Sequence, residues 1–204
     1  MEKTTLPHHT EFETKYKVET HDLFEFKRIV GSLSGLNKYL YIEGPDLYFV
    51  NSEGSFARYR KPSHGLDDGR SEVTWKIKPK GAKNNIIRTE YNWKVTGTPE
   101  DTIKESLLAN GFHFNFSVTK HCHIYNFSDA TLVFYSVYDT TDGKPSKVDS
   151  YCEIEVLEEN IHNLMEKEAW TIIEKYEKIL EPIGISPQKR MRRSLFEIYL
   201  RETK

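Results

Sequence analysis

The most constraining feature of the sequence is an alternation of charged and uncharged residues near its start, Glu11-Phe12-Glu13-Thr14-Lys15. Successive side chains of a β-strand point to opposite faces, so a strand here places Glu11, Glu13 and Lys15 on one face. Burying these charges in an apolar core would cost several kcal/mol each, so the face must contact water or ions. The segment therefore lies either at the surface or in a binding site.

Five later segments repeat the alternation of polar or charged and apolar residues, at 55–61, 72–78, 86–95, 117–127 and 151–157. Their charged positions are, in chain order, Arg58, Arg60, Lys76, Lys78, Arg88, Glu90, Lys120, Glu153 and Glu155. About eight strands with one charged face predict an antiparallel sheet that curls into a closed or nearly closed β-barrel. We therefore expect an α+β fold with charged residues inside the barrel and helices packed on its apolar outside.

Helical spacing of apolar residues, together with capping and breaking residues, predicts four helices. They are expected at 20–33, from Thr98 to Gly111, at 159–180 and at 187–200. Turn residues predict chain reversals at Gly44-Pro45-Asp46 and at Asp142-Gly143-Lys144-Pro145. We expect one domain over residues 1–204, with a flexible tail at 1–9.

The overall charge is nearly balanced, with 29 Lys and Arg residues against 31 Asp and Glu residues. A net charge of −2 gives no general attraction to nucleic acid or to anionic membranes, so we expect neither as a partner. The start of the chain lacks the apolar run of a signal peptide, which predicts a cytoplasmic protein. Cys122 and Cys152 are too few for a disulfide framework and are expected to be reduced thiols.

The charges expected inside the barrel are of both signs and are segregated along the chain. Carboxylate oxygens suit Mg²⁺ or Mn²⁺, which in turn bind phosphate oxygens, while Arg and Lys neutralise the remaining phosphate charge. The interior therefore suits a polyanion that is bridged to a divalent cation.

An ordered set of motifs resembles the CYTH superfamily, the triphosphate tunnel metalloenzymes that include inorganic triphosphatases, thiamine triphosphatases and class IV adenylyl cyclases. Glu11-x-Glu13-x-Lys15 is similar to the Glu-x-Glu-x-Lys signature of this family. The later motifs that resemble the family are Asp46-Leu-Tyr-Phe, Ala57-Arg58-Tyr59-Arg60, Thr74-Trp75-Lys76, Arg88-Thr89-Glu90, Gly111-Phe112, Lys120, Glu153-Ile154-Glu155 and Arg193-Ser194-Leu195. The resemblance covers nearly residues 11–200 in the family's order.

This resemblance implies roles for individual residues. Triphosphate binding is implied for Lys15, Arg58, Arg60, Lys76, Lys78, Arg88 and Lys120. Metal binding is implied for Glu11, Glu13, Asp139, Glu153 and Glu155, and catalytic roles for Lys15, Lys76, Glu90 and Glu153.

The chain departs from the family pattern at two places. The family usually has Lys-x-Arg where this chain has Lys120-His121-Cys122, so a thiol replaces a guanidinium. After Asp139, a longer segment from Thr140 to Ser150 replaces the Leu-Gly pair of the family.

The resemblance leaves three hypotheses open for a triphosphate-containing small-molecule ligand. The first is a metal-dependent triphosphatase that acts on inorganic triphosphate or on a triphosphorylated organic molecule. The second is a class IV adenylyl cyclase, which forms cyclic AMP and pyrophosphate from ATP. The third is a catalytically weak module that binds polyphosphate or nucleotide. We expect a monomer or a homodimer.

Overall fold

The computed structural model describes residues 8–61, 71–77, 87–156 and 166–201, with the side chains of 12–61, 71–76, 90–156 and 166–201. The strands are β1 His8–Val18, β2 Lys38–Val50, β3 Phe56–Arg60, β4 Glu72–Ile77, β5 Ile87–Lys94, β6 His113–Asn126, β7 Ala130–Asp139 and β8 Ser146–Val156. They form a closed antiparallel barrel in the order β1-β5-β4-β3-β2-β6-β7-β8, in which β8 pairs with β1. The α+β barrel predicted from the alternating segments is confirmed.

The described residues contain four α-helices. These are α1 Asp22–Gly31, α2 Glu100–Ala109, α3 Glu166–Ile179 and α4 Leu195–Tyr199, with short 3₁₀ turns at Glu181–Ile183 and Pro187–Lys189. The long helix predicted at 159–180 is thus seen from Glu166, since 157–165 lie outside the described residues. Gly111 ends α2 with a positive φ of 80°, as predicted.

The helices α1, α2 and α3 cover the outer, apolar face of the barrel. Phe26 of α1 and Ile173 of α3 pack with Tyr16 of β1 and Ile154 of β8 in one buried cluster. On the other side, Ile103 of α2 contributes to a second cluster, which includes outward-facing residues of β2, β3 and β4. Since these contacts take up the apolar phase of each strand, the charged phase faces the interior.

Strand β2 runs without interruption through the segment that local residue types predict to be a turn. Pro45 lies opposite Thr119 of β6, and its carbonyl oxygen accepts a hydrogen bond from the Lys61 N–H (3.1 Å). On that side of β2 the neighbouring strand β3 ends at Arg60, opposite Asp46. A proline is tolerated here because its missing N–H faces the end of a strand. The predicted turn at Gly44-Pro45-Asp46 is therefore wrong.

The predicted helix at 187–200 is also wrong in extent, because tertiary contacts break it into two short pieces. The N–H of Met191 donates a hydrogen bond to the carbonyl oxygen of Lys15 (2.8 Å), on β1 beyond the part that pairs with β5. Helix α4 starts only after Ser194, whose side chain forms a capping box with Glu197. Arg190 anchors the segment through two hydrogen bonds to the buried Glu177 of α3, both of 2.6 Å.

Helix α4 packs into the barrel interior through aromatic contacts. Its Phe196 stacks on Phe56 of β3, with ring centroids 4.2 Å apart. Tyr48 and Phe116 stack beside them at 4.5 Å. One part of the interior is therefore filled by aromatic side chains, and the expectation of a wet interior holds only for the remainder. No helix in the described parts of the chain is both long and apolar enough to cross a membrane.

Candidate active site

A cavity of about 310 Å³ lies inside the barrel, and we call it the charged cavity. Its ionisable lining residues are Glu13, Lys15, Arg58, Arg60, Glu72, Lys76, Glu90, Lys120, Glu153 and Glu155, together with the thiol of Cys122. They come from strands β1, β3, β4, β5, β6 and β8, because each strand turns its polar phase inward. Closure of the sheet thus brings together residues that lie up to 142 positions apart, from Glu13 to Glu155.

On one side of the charged cavity, β1 and β8 form an acidic wall with a single central cation. Lys15 lies opposite Glu153, and Glu13 lies opposite Glu155. The ammonium of Lys15 donates to Glu153 at 2.8 Å and lies 3.7 Å from Glu13. Tyr135 of β7 also donates to Glu153 (2.8 Å). Burial alone would raise the pKa of Glu153, but Lys15 outweighs it and lowers this pKa to about 2.

Strands β3, β4 and β5 form the opposite wall, in which cations again form ion pairs with carboxylates. Arg58 donates to Glu72 (3.3 Å) and to the Thr74 hydroxyl (2.9 Å). Lys76 forms an ion pair with Glu90, which faces it across the β4–β5 pairing. The buried Nε of Arg58 has no hydrogen-bond partner among the described residues. An anion bound in the cavity could supply that partner.

Asp46 of β2 is a site residue to which the sequence assigned no role. It is only 1% exposed and accepts two hydrogen bonds from Arg60, at 2.8 and 3.0 Å. The ammonium of Lys120 lies 2.9 Å from Oδ2 of Asp46, the oxygen that also accepts from Nη2 of Arg60. Although burial alone would raise the pKa of Asp46, Arg60 and Lys120 hold it well below its usual range. The motif Asp46-Leu-Tyr-Phe was a signal for this residue, but the resemblance gave it no role and the predicted turn obscured its place in a continuous strand.

The two departures from the family pattern occupy different environments. Cys122 lines the charged cavity, and burial raises the pKa of its thiol to about 11, so it is neutral at ordinary pH. Asp139, at the end of β7, does not line this cavity. It accepts a hydrogen bond from Arg201 (2.9 Å) and one from the N–H of Thr141 (2.9 Å). The segment that follows it is a hairpin, because β8 already begins at Ser146.

Three of the predicted site residues cannot be placed fully. Glu11 and Arg88 lie opposite each other in the pairing of β1 with β5, but their side chains are outside the described residues. Lys78 lies outside the described residues altogether.

The acidic wall has the oxygen donors that Mg²⁺ and Mn²⁺ prefer. Glu13, Glu153 and Glu155 occupy paired positions on adjacent strands. Within the described ranges, however, no three carboxylate, imidazole or thiol groups are arranged closely enough to form a ready-made metal centre. The donor chemistry of these carboxylates fits a divalent cation, although Oε1 of Glu153 already accepts contacts from Lys15 and Tyr135.

Comparison with known proteins gives structural likenesses only, since no family model matches the sequence and no curated protein matches it. A conserved hypothetical protein of Pyrococcus furiosus is 20% identical, with a TM-score of 0.68 over 92% of this chain and 98% of that chain. A candidate adenylate cyclase of Vibrio parahaemolyticus is 17% identical, with a TM-score of 0.60 over 93% and 97% of the two chains.

The capping enzyme triphosphatase of Mimivirus is 12% identical, with a TM-score of 0.50 over 85% of this chain and 90% of that chain. At these identities the likenesses concern the fold. The barrel fold that the motif resemblance implies is confirmed at that level, since the chain shares the fold of a candidate adenylate cyclase and of a capping enzyme triphosphatase.

Proposed function

We propose that this protein is a metal-dependent enzyme that hydrolyses a triphosphate bound in the charged cavity. The observation that carries the proposal is the convergence of five basic side chains on one enclosed space. They are Lys15, Arg58, Arg60, Lys76 and Lys120. Cations on several walls of one cavity can surround an extended polyanion, which a surface patch cannot do.

In this proposal the basic residues bind and orient the phosphate chain. Arg58 offers the buried Nε that lacks a partner among the described residues, and Arg60 and Lys120 retain donors beyond those that Asp46 uses. Lys15 and Lys76 stabilise the charge that develops on the phosphate oxygens when the anhydride bond breaks. Lys78 and Arg88 are proposed to add to this set.

The carboxylates divide into two roles. Glu13, Glu153 and Glu155 are proposed to hold Mg²⁺ or Mn²⁺, with Glu11 alongside, and a cation held there would supply positive charge to neutralise the phosphate oxygens. A carboxylate with a pKa of about 2 is a weak base, so Glu153 suits a ligand better than a proton acceptor. We assign to Glu90 the acceptance of the proton of the attacking water.

An adenylyl cyclase is the second candidate, and an apolar part of the charged cavity favours it. Ile124 and Val133 line the same space as the cations. They offer a contact surface for the organic part of a nucleoside triphosphate. In that reaction the ribose 3′-hydroxyl replaces water as the nucleophile, and pyrophosphate leaves. The structural likeness to the Vibrio protein is compatible with this alternative.

One product analysis separates these functions. The protein is incubated with inorganic triphosphate or with ATP, in Mg²⁺ or Mn²⁺ or in a chelator, and phosphate, pyrophosphate and cyclic AMP are resolved. Release of phosphate that requires the metal supports the hydrolase, whereas cyclic AMP with pyrophosphate supports the cyclase. Tight binding of triphosphate without either product would leave a binding module and refute both enzymatic proposals.

The matched control is Lys175→Gln. Lys175 forms an exposed ion pair with Asp129 on the outside of the barrel, so removal of this cation should leave turnover unchanged. Lys76→Gln removes a cation from the cavity and should reduce turnover sharply. Equal loss in both variants would argue against the charged cavity as the site.

A further inference from the structure

Asp46 contacts two cations of the charged cavity, but its own side chain does not line that cavity. Arg60 and Lys120 line the charged cavity, whereas Asp46 does not and borders only a small adjoining space of about 30 Å³. Its side chain is 1% exposed, against 31% for the side chain of Arg60 and 11% for that of Lys120. A ligand in the cavity would therefore meet the cations first and would not displace the carboxylate.

The strand register explains how one carboxylate reaches cations on two neighbouring strands. Asp46 lies directly opposite Arg60 of β3. On its other side, Lys120 of β6 lies opposite Gly44, which has no side chain to fill the space. Lys120 can therefore lean diagonally toward Asp46, two positions along β2. The absence of a side chain at position 44 thus allows the two cations to share one anion.

The hydrogen bonds also fix which donors remain available. Arg60 uses Nε and Nη2 toward Asp46, so Nη1 is not engaged by this carboxylate. Lys120 directs its ammonium toward Asp46 at 2.9 Å and donates to the Tyr48 hydroxyl at 3.3 Å. Long basic side chains lose considerable rotamer freedom when they bind a ligand, and a carboxylate that already holds them lowers this cost.

We propose that Asp46 is a positioning residue that holds Arg60 and Lys120 in the orientation that receives the phosphate chain. This inference rests on the proposed binding of triphosphate in the charged cavity. It makes Asp46 favourable to anion binding despite its negative charge.

The direction in which Asp46→Asn changes the affinity for inorganic triphosphate tests this inference. If Asp46 acted only as a nearby negative charge, Asp46→Asn would tighten the binding of inorganic triphosphate, because a repulsive charge is removed. Positioning predicts the opposite, about ten-fold weaker binding, since two charge-assisted contacts lose their alignment. Calorimetric titration with inorganic triphosphate in a chelator measures this without turnover.

Asp129→Asn is the matched control. Asp129 pairs with Lys175 on the outside of the barrel and does not line the charged cavity, so removal of its charge is expected to leave triphosphate binding unchanged. Equal or tighter binding by Asp46→Asn would overturn the inference. Equal weakening by both variants would also overturn it, because any loss of a carboxylate would then have the same effect.

A double-mutant cycle separates positioning from a general loss of structure. In an Arg60→Gln background, Asp46→Asn should weaken binding by a smaller factor than in the wild type, because one of its two partners is absent. The same factor in both backgrounds would overturn the inference. If Asp46→Asn does not fold, Arg60→Lys replaces it, since lysine keeps the charge but loses the paired hydrogen bonds. About ten-fold weaker binding is then expected, and unchanged affinity would overturn the inference.

Titration of the wild-type protein with triphosphate separates failure of the proposed function from failure of the role proposed for Asp46. No binding of inorganic triphosphate, either in chelator or with Mg²⁺, would refute the proposed function and the role of Asp46 with it. Binding by the wild type that Asp46→Asn retains in full would refute the role of Asp46 alone.

Discussion

Replacement of Glu153 by glutamine is expected to destabilise the metal-free protein by about 2 kcal/mol at neutral pH. Glu153 accepts hydrogen bonds from Lys15 and from Tyr135, both of 2.8 Å. The carbonyl of a glutamine can keep the bond from Tyr135, so the loss is mainly the charged contact, worth about 1.5–3 kcal/mol. Lys15 retains Glu13 at 3.7 Å, which places the cost toward the lower half of this range.

For a chain of this length, each kcal/mol shifts the melting temperature by roughly 2–4 °C, so the variant should melt about 4–8 °C lower. Calorimetry in a chelator at neutral pH and at about pH 3 measures the effect. The folded-state pKa of about 2 lies below the ordinary value of 4.5, so the stability that Glu153 contributes is present above pH 4.5 and is lost as the pH falls toward 2. The difference between the two proteins should therefore shrink in acid.

The matched variant is Glu72→Gln, because the side chain of Glu72 is 33% exposed and its contacts are longer, with Arg58 at 3.3 Å and with the Thr74 hydroxyl at 3.4 Å. It should cost less than about 1 kcal/mol. A melting temperature of Glu153→Gln within about 1 °C of the wild type would refute the pairing with Lys15 as a stabilising contact. A difference that does not change with pH would do the same.

Three further predictions follow from the placement of single residues. Cys122→Arg should tighten triphosphate binding about ten-fold in calorimetry and make the binding more dependent on salt, because Cys122 lines the charged cavity. An insoluble or early-melting protein would contradict that placement. Arg58→Ala should weaken triphosphate binding by about 1.5–3 kcal/mol, and an unchanged affinity in the same assay would exclude Arg58 from the site. Burial lowers the pKa of His123 to about 4, so the wild type should lose stability as the pH falls from 6.5 toward 4. His123→Gln should lack this part of the acid dependence in denaturant titrations at each pH, and parallel curves would contradict a half-buried, neutral imidazole.

The barrel could be predicted from the sequence because six of its eight strands carry the alternation of polar or charged and apolar residues. A solid apolar core would have hidden the alternation in β4, where Thr74 and Lys76 face inward and Trp75 faces outward. The positions that could not be predicted depend on distant parts of the chain. Pro45 remains in a strand only because β3 ends beside it, and the break before α4 depends on a hydrogen bond to Lys15.

The candidate site could likewise be predicted only where it depends on local sequence. The cations and acidic residues of the strands could be predicted, since their phase follows from local alternation. Their pairing could not be predicted, because Lys120 of β6 reaches Asp46 across the position of Gly44 on β2. Asp139 likewise has a sequence context that suggests a ligand, but its contact with Arg201 depends on where the end of the chain lies.

The pairing of Lys15 and Lys76 with carboxylates that line the same cavity has a consequence for how long a ligand stays. A cavity of unpaired cations would gain the full energy of each new contact and would release a polyanion slowly. Here a new phosphate contact to Lys15 or Lys76 competes with a contact that the protein already makes, so binding reflects the difference between two similar energies. Glu153 and Glu90 would thus act as internal competitors that return to their cations when a bound anion leaves. Such a barrel can fold before any ligand arrives and can favour short residence times over tight retention.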